Sequence, residues 1–199
     1  MTQPTTEEAI RRTPAPLGRP CRVAFEVGTQ APWIAAIRRR LLHWYDRHKR
    51  DLPWRRLRSD PFAQWVAEIM LRQTRVETVL DYYARFLRRF PTLHDLADAD
   101  HQDVLKLWEG LGYYRRILHL HRAARSIRDA GGMIPATSAG LRALPGVGDY
   151  TAAAIASIAF NEPVAAVDGN VARVLARLFA VKDDIRAATT KTHITKLAQ

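Results

Sequence analysis

Between two apolar, helix-like runs the chain carries Leu144-Pro145-Gly146-Val147-Gly148, and no other segment restricts the fold so narrowly. Two glycines beside a proline make a tight turn whose backbone N–H groups are left unshielded, so that an anion can approach them closely. The local order is therefore helix, hairpin, helix. One helix further on lies Val167-Asp168-Gly169-Asn170-Val171, which places a carboxylate within reach of that turn. Taken alone, a Gly-x-Gly turn between helices is only a turn. The charge of the chain gives it a partner.

Of 199 residues, 31 are Lys or Arg and 20 are Asp or Glu, a formal net charge of +11. A polyanion is the natural ligand of such a surface, because neutralising phosphates releases counterions and yields affinity without sequence reading. A hydrophobic content of 47% is ample for a core. The single cysteine, Cys21, can form neither an internal disulfide nor a cysteine-ligated cluster, so a cytoplasmic, metal-free chain is expected. No apolar run is long enough for a membrane span, and no secretory signal opens the sequence. Residues 1–30, with Pro4, Pro14, Pro16 and Pro20, read as a disordered leader. That segment holds four arginines against three glutamates, so nearly all the positive charge belongs to residues 31–199.

From Pro32 onward the pattern is helical. Apolar residues at 3.6-like spacing, or Ala-rich composition, predict helices over 33–47, 61–73, 77–89, 102–108, 115–129, 138–143, 150–160 and 170–180. Turns at Pro53, Pro91, Gly110, Gly112, Gly131, Gly132, Pro135 and Pro163 separate them. No run alternates long enough for a sheet, and the expected class is all-α, a bundle-like packing of short helices.

Asp60 before Pro61 is an N-cap and first-turn signature. In the helix that follows, Phe62, Trp65, Val66, Ile69 and Met70 form the buried stripe, which leaves Gln64, Glu68, Leu71, Arg72 and Arg75 on a different, mostly polar face. A carboxylate flanked by apolar neighbours loses hydration and its pKa rises, as a general acid working near neutral pH requires. Glu68 has a plainer reading as the i, i+4 partner of Arg72. Asp168 has one as the N-cap of the next helix, a place that also favours an anion. Two carboxyl groups with opposite protonation demands are the arrangement that cleaves glycosidic bonds through an oxocarbenium-like transition state. With a basic surface and an anion-gripping hairpin, the chemistry indicated is cleavage of an N-glycosidic bond in DNA.

Five segments carry a family resemblance: Leu52-Pro53-Trp54-Arg55, Glu68-Ile69-Met70-Leu71-Arg72-Gln73-Thr74-Arg75-Val76, Leu107-Trp108-Glu109-Gly110-Leu111-Gly112-Tyr113-Tyr114, Leu144-Pro145-Gly146-Val147-Gly148 and Val167-Asp168-Gly169-Asn170-Val171. In this order they resemble the helix-hairpin-helix DNA glycosylases with an endonuclease III-like fold, and within them the MutY-type, A/G-specific adenine glycosylases. The resemblance implies a helical bundle or barrel over 31–199, with the hairpin motif at 138–160. It implies that adenine opposite 8-oxoguanine or guanine in double-stranded DNA is flipped out of the stack. Glu68 would then protonate the adenine at N7, Asp168 would stabilise the sugar cation, and Tyr150 would support the site. Endonuclease III-like relatives with a lyase step carry a lysine where this chain has Tyr150, so a monofunctional glycosylase is expected.

The same resemblance assigns Gly146, Val147, Gly148 and Asn170 to DNA binding. It places Gln73, Leu111 and Tyr113 at the base stack, where a wedge fills the space the flipped base vacates. Trp108 and Tyr114 are expected in the core, and Arg55 near the base pocket. Arg72 departs from the family's usual glutamine. The family continues past the equivalent of Gln199 into four cysteines that hold a [4Fe-4S] cluster, and often into a domain that reads 8-oxoguanine. This chain has neither, and is expected to be a C-terminally truncated form with an incomplete second helical domain, acting as a monomer. The hairpin carbonyls are suited to a monovalent cation. Two alternatives stay open: a thymine- or uracil-mismatch glycosylase of the same fold, and an inactive, truncated DNA-binding remnant.

Overall fold

A computed structural model describes residues 32–199, so the expected leader and Cys21 lie outside the described residues. The described residues are helical with no strand. The chain divides into two compact units, Met1–Arg47 and His48–Gln199. Helix α1 (Pro32–His48) accounts for all that is described of the first.

The second unit contains the remaining helices. These are α2 (Pro53–Arg56), α3 (Pro61–Leu71), α4 (Val76–Arg89), α5 (Leu93–Asp98) and α6 (His101–Trp108), then α7 (Arg115–Asp129), α8 (Ser138–Arg142), α9 (Asp149–Ala159), α10 (Gly169–Leu178) and α11 (Ala188–Ala198). Helix α3 is central, packing against α2, α4, α7 and α9. Its buried stripe is the predicted one: Phe62, Trp65, Val66, Ile69 and Met70 are all within the core. Burying each such side chain stabilises the fold by about 1.5–3 kcal/mol. Edge-to-face aromatic pairs complete this core, with Trp54 and Tyr83 at 5.4 Å and Phe86 between Phe90 at 5.2 Å and Trp108 at 6.3 Å.

Gln64 departs from the sequence expectation. It is buried, not on the polar face, because its amide donates to the Trp54 and Leu57 carbonyls of the short α2 turn. Four residues of helix leave their last carbonyls without intrahelical partners, and a neighbouring donor supplies them. The start signal at Asp60 matches the observed cap, and two further caps carried no prediction. Asp60 accepts from the Ala63 amide at 3.0 Å, Thr137 from Gly140 at 3.2 Å, and Thr92 with Asp95 makes a reciprocal capping box at the head of α5.

Candidate functional site

Helix α3 runs Glu68 out of the core towards a cleft of about 580 Å³, lined by Glu68, Arg72, Gln73, Gly148, Tyr150 and Asp168 among others. Such a volume suits a small organic group. Glu68 is half-buried, and burial pushes its carboxyl up from the ordinary glutamate value, with a hydrogen bond from the Tyr150 hydroxyl as the smaller, opposing influence. Among the described residues no ion pair joins it to Arg72. Tyr150 comes from the first turn of α9; burial, with the Glu68 and Asp168 charges beside it, pushes its phenol up to about 12. It is a neutral donor at any physiological pH.

Asp168 is the N-cap of α10, as its plainer reading predicts. Its Oδ1 accepts from the amides of Asn170 at 2.9 Å and Val171 at 2.7 Å, and its Oδ2 accepts from the Asn170 side chain at 3.2 Å. Asn170 in turn accepts from Arg173 at 2.7 Å. The cap leaves Asp168 on the cleft wall, where Asn170 also lies.

The hairpin joins α8 to α9. Gly146 has φ of 77°, a backbone that its missing Cβ permits. Val147 is buried and its amide donates to Leu144 O at 3.2 Å, so this predicted site residue spends both its side chain and its N–H on the turn. The amides of Gly148, Asp149 and Tyr150, at the N-terminus of α9, find no partner among the described residues and form a site of the kind that binds anions. Arg142 pairs with Asp149 at 2.7 Å, which offsets the one acidic charge there.

A second cavity of about 440 Å³ shares Arg72 and Gln73 with the first and adds Tyr113, Tyr114, Arg115, Arg116, His119 and Gly146. Gln73 and Tyr113 both have positive φ, 61° and 49°, and Tyr113 is 60% exposed. Of the predicted site residues, Glu68, Gln73, Gly148, Tyr150, Asp168 and Asn170 thus meet at the first cleft, and Gln73, Tyr113 and Gly146 at the second. Leu111 is buried in the core and offers no wedge in this structure. Arg55 lines neither cavity; its guanidinium donates to Arg50 O at 2.8 Å. Tyr114, expected in the core, is instead exposed, since it precedes α7 on the cavity side, whereas Trp108 is fully buried as expected. Arg116 and His119 carried no signal in the sequence, because arginines and histidines recur throughout 115–125.

Four thiolates are needed to hold a [4Fe-4S] cluster, and the chain has one cysteine. Among the described residues no group of three or more His, Cys, Asp or Glu is placed to hold a metal. The residues present do not fit that cluster. No described helix is long and apolar enough to cross a membrane.

Residues 66–199 match the family model described as HhH-GPD superfamily base excision DNA repair protein. The adenine DNA glycosylase of Rattus norvegicus is 49% identical over 175 residues, covering 83% of this chain and 34% of that protein. The Homo sapiens adenine DNA glycosylase is 47% identical over 175 residues, with coverage of 83% and 32%. The chain therefore spans about a third of the length of these relatives. Among solved structures, a thermostable thymine-DNA glycosylase superposes with a TM-score of 0.73 at 28% identity, over 82% of this chain and 76% of that one. A trapped endonuclease III-DNA covalent intermediate, at TM-score 0.66 and 23% identity over 81% and 75%, shares the fold. By this match over residues 66–199, the chain belongs to the HhH-GPD superfamily of base excision DNA repair proteins.

Proposed function

We propose that this chain is the catalytic core of a monofunctional adenine DNA glycosylase, hydrolysing the N-glycosidic bond of adenine paired with 8-oxoguanine or guanine in double-stranded DNA. The observation that carries this reading is the half-buried Glu68 carboxyl, bonded to the Tyr150 hydroxyl in the cleft that Asp168 also lines. Desolvation raises the Glu68 pKa, the direction a proton donor requires, while the amides at the head of α10 orient the Asp168 carboxyl.

In the reaction, the net positive charge of the chain draws in the duplex, a phosphate meets the free amides of α9, and the adenine is flipped into the cleft. Glu68 gives its proton to adenine N7. The C1′–N9 bond then breaks with its electron pair leaving on the base, and the Asp168 carboxylate faces the resulting sugar cation. Water, deprotonated by Glu68, adds to C1′ and restores the acid. The products are free adenine and an abasic site. Tyr150, held neutral with its pKa at about 12, has no amine with which to form a Schiff base, so strand scission does not follow. A monomer in the compartment that holds the DNA suffices for these steps, and a monovalent cation on the hairpin carbonyls would assist the phosphate contact.

A thymine-mismatch glycosylase of the same fold is the second reading, favoured by the thymine-DNA glycosylase likeness and by an arginine, Arg72, on the cleft wall. A labelled duplex with adenine opposite 8-oxoguanine, incubated with the chain and then treated with alkali, tests the proposal. Cleavage only after alkali, abolished by Glu68→Gln, is the expected result. Release of thymine from a guanine mismatch, with adenine untouched, would shift the assignment to the second reading. Binding without release of either base would leave a DNA-binding remnant.

A further inference from the structure

Arg116, the second residue of α7, is placed at considerable cost. It is partly buried, burial and the neighbouring Arg72 charge both push its pKa below the usual arginine value, and its Nε is buried without a hydrogen-bond partner. It also sits in the first turn of a helix, where the dipole disfavours a cation. An arginine in that position persists only where its surroundings overdetermine it. Here they do: the guanidinium reaches backbone carbonyls from two separate segments. One nitrogen donates to Ile69 O at 3.1 Å, Met70 O at 3.5 Å and Arg72 O. The other donates to Leu111 O at 3.5 Å and Gly112 O at 3.4 Å. The plane lies 5.7 Å from the Trp108 ring and 5.0 Å from the Tyr113 ring.

The first set of carbonyls belongs to the C-terminus of α3, whose last groups have no intrahelical partners. By supplying them, Arg116 lets the chain turn out of the helix at Arg72 and into the left-handed Gln73. The second set precedes Tyr113, also left-handed. Two strained, exposed residues on separate segments are thus set at one spacing by one fork. Lysine, a point charge without that fork, cannot serve both segments at once.

We propose that Arg116 is a positioning residue that locks the 71–75 and 110–114 segments together, so that Gln73 and Tyr113 enter a mispaired duplex as one preset unit. This rests on the adenine glycosylase reading. The test measures binding of a duplex with adenine opposite 8-oxoguanine and of the same duplex fully matched, in a Glu68→Gln background that prevents turnover. Arg116→Met and Arg116→Lys are each expected to fold, to bind the matched duplex within about twofold of the parent, and to lose about tenfold in preference for the mispair. In a Gln73→Ala, Tyr113→Ala background, adding Arg116→Met is expected to change the preference no further, since there is nothing left to position. Preference retained in both Arg116 variants overturns the proposal alone. So does unfolding of both, or an equal loss on both duplexes, which would make Arg116 a stability residue. A parent that shows no preference for the mispair overturns this proposal and the adenine reading together.

Discussion

The two hairpin glycines are present for different physical reasons, and separate substitutions expose the difference. At Gly146, φ is 77°, and an added Cβ would lie 2.4 Å from His119 Cβ and 2.6 Å from His119 Nδ1. A β-carbon is fixed to the α7 backbone and cannot swing aside. Gly146→Ala therefore costs about 1–2 kcal/mol for the left-handed backbone and about 1–3 kcal/mol for overpacking. In a protein of this size each kcal/mol lowers Tm by roughly 2–4 °C, so Gly146→Ala is expected to lower Tm by about 4–20 °C.

At Gly148 the backbone, φ −94° and ψ 176°, suits any residue, and nothing lies within 4 Å of an added Cβ. Gly148→Ala costs only what alanine costs at an N-cap, up to about 1 kcal/mol. A methyl group there is expected to crowd a phosphate that approaches the free α9 amides beside it. One lost hydrogen bond to a charged group is worth about 1.5–3 kcal/mol, so duplex affinity is expected to fall by about tenfold or more. Because a backbone amide carries no charge, the dependence of affinity on salt should keep its slope. Differential scanning fluorimetry and fluorescence anisotropy across a salt series measure both effects. Wild-type affinity in a folded Gly148→Ala protein would refute the argument that the hairpin backbone meets phosphate, and an unchanged Tm in Gly146→Ala would refute the His119 contact.

Glu68→Gln should lower base release by about 10²–10⁴-fold, measured in single-turnover assays. It should at the same time leave the protein as stable or more stable at neutral pH. A carboxyl whose folded pKa is raised costs stability as pH climbs from its unfolded value through its folded one. The glutamine variant escapes that cost, so its advantage in thermal unfolding should shrink as pH falls below the ordinary carboxylate range; an advantage that grows on acidification would show the sign to be wrong. Tyr150→Phe removes the hydroxyl that holds the Glu68 pKa down. The alkaline limb of the rate profile should then move to higher pH, and a limb that moves down or stays would refute Tyr150 as the donor.

The sequence reveals most where one side chain decides its own setting. Asp60-Pro61 starts α3 where expected, the apolar stripe buries as spaced, and Asp168 caps α10. Helices α2, α5 and α11 were not predicted. The first two are four and six residues long, too short to show a 3.6-residue period, and α11 reads as a mixed polar run with only Thr190 and Ile194 buried. Misread residues are those whose setting another segment decides. Gln64 is buried by the unpaired carbonyls of α2, Tyr114 is exposed by where α7 begins, and Leu111 is drawn inward by the turn that Trp108 closes through its Nε1–H to Gly112 O at 3.0 Å. Arg116 is the extreme case: nothing within its own helix distinguishes it from Arg115, and its five carbonyl partners come from two other stretches of chain.

The two carboxyl groups show how helix geometry alone separates their tasks. Glu68 lies inside α3, where its backbone amides are already spent on the helix and its only described relief from burial is one tyrosine hydroxyl. Asp168 stands just before α10 and takes two amides that no residue within that helix can satisfy, which couples its orientation to the existence of the helix. Its second oxygen is held by Asn170, itself held by Arg173, so among the described residues no ion pair reaches Asp168 and Arg173 acts on it through a neutral amide. A direct arginine pair would neutralise the carboxylate that the proposed sugar cation must meet. The relay fixes the carboxylate's direction while leaving its charge to the cleft, so a residue that reads from sequence as merely a cap is suited by that same cap to the chemistry proposed for it.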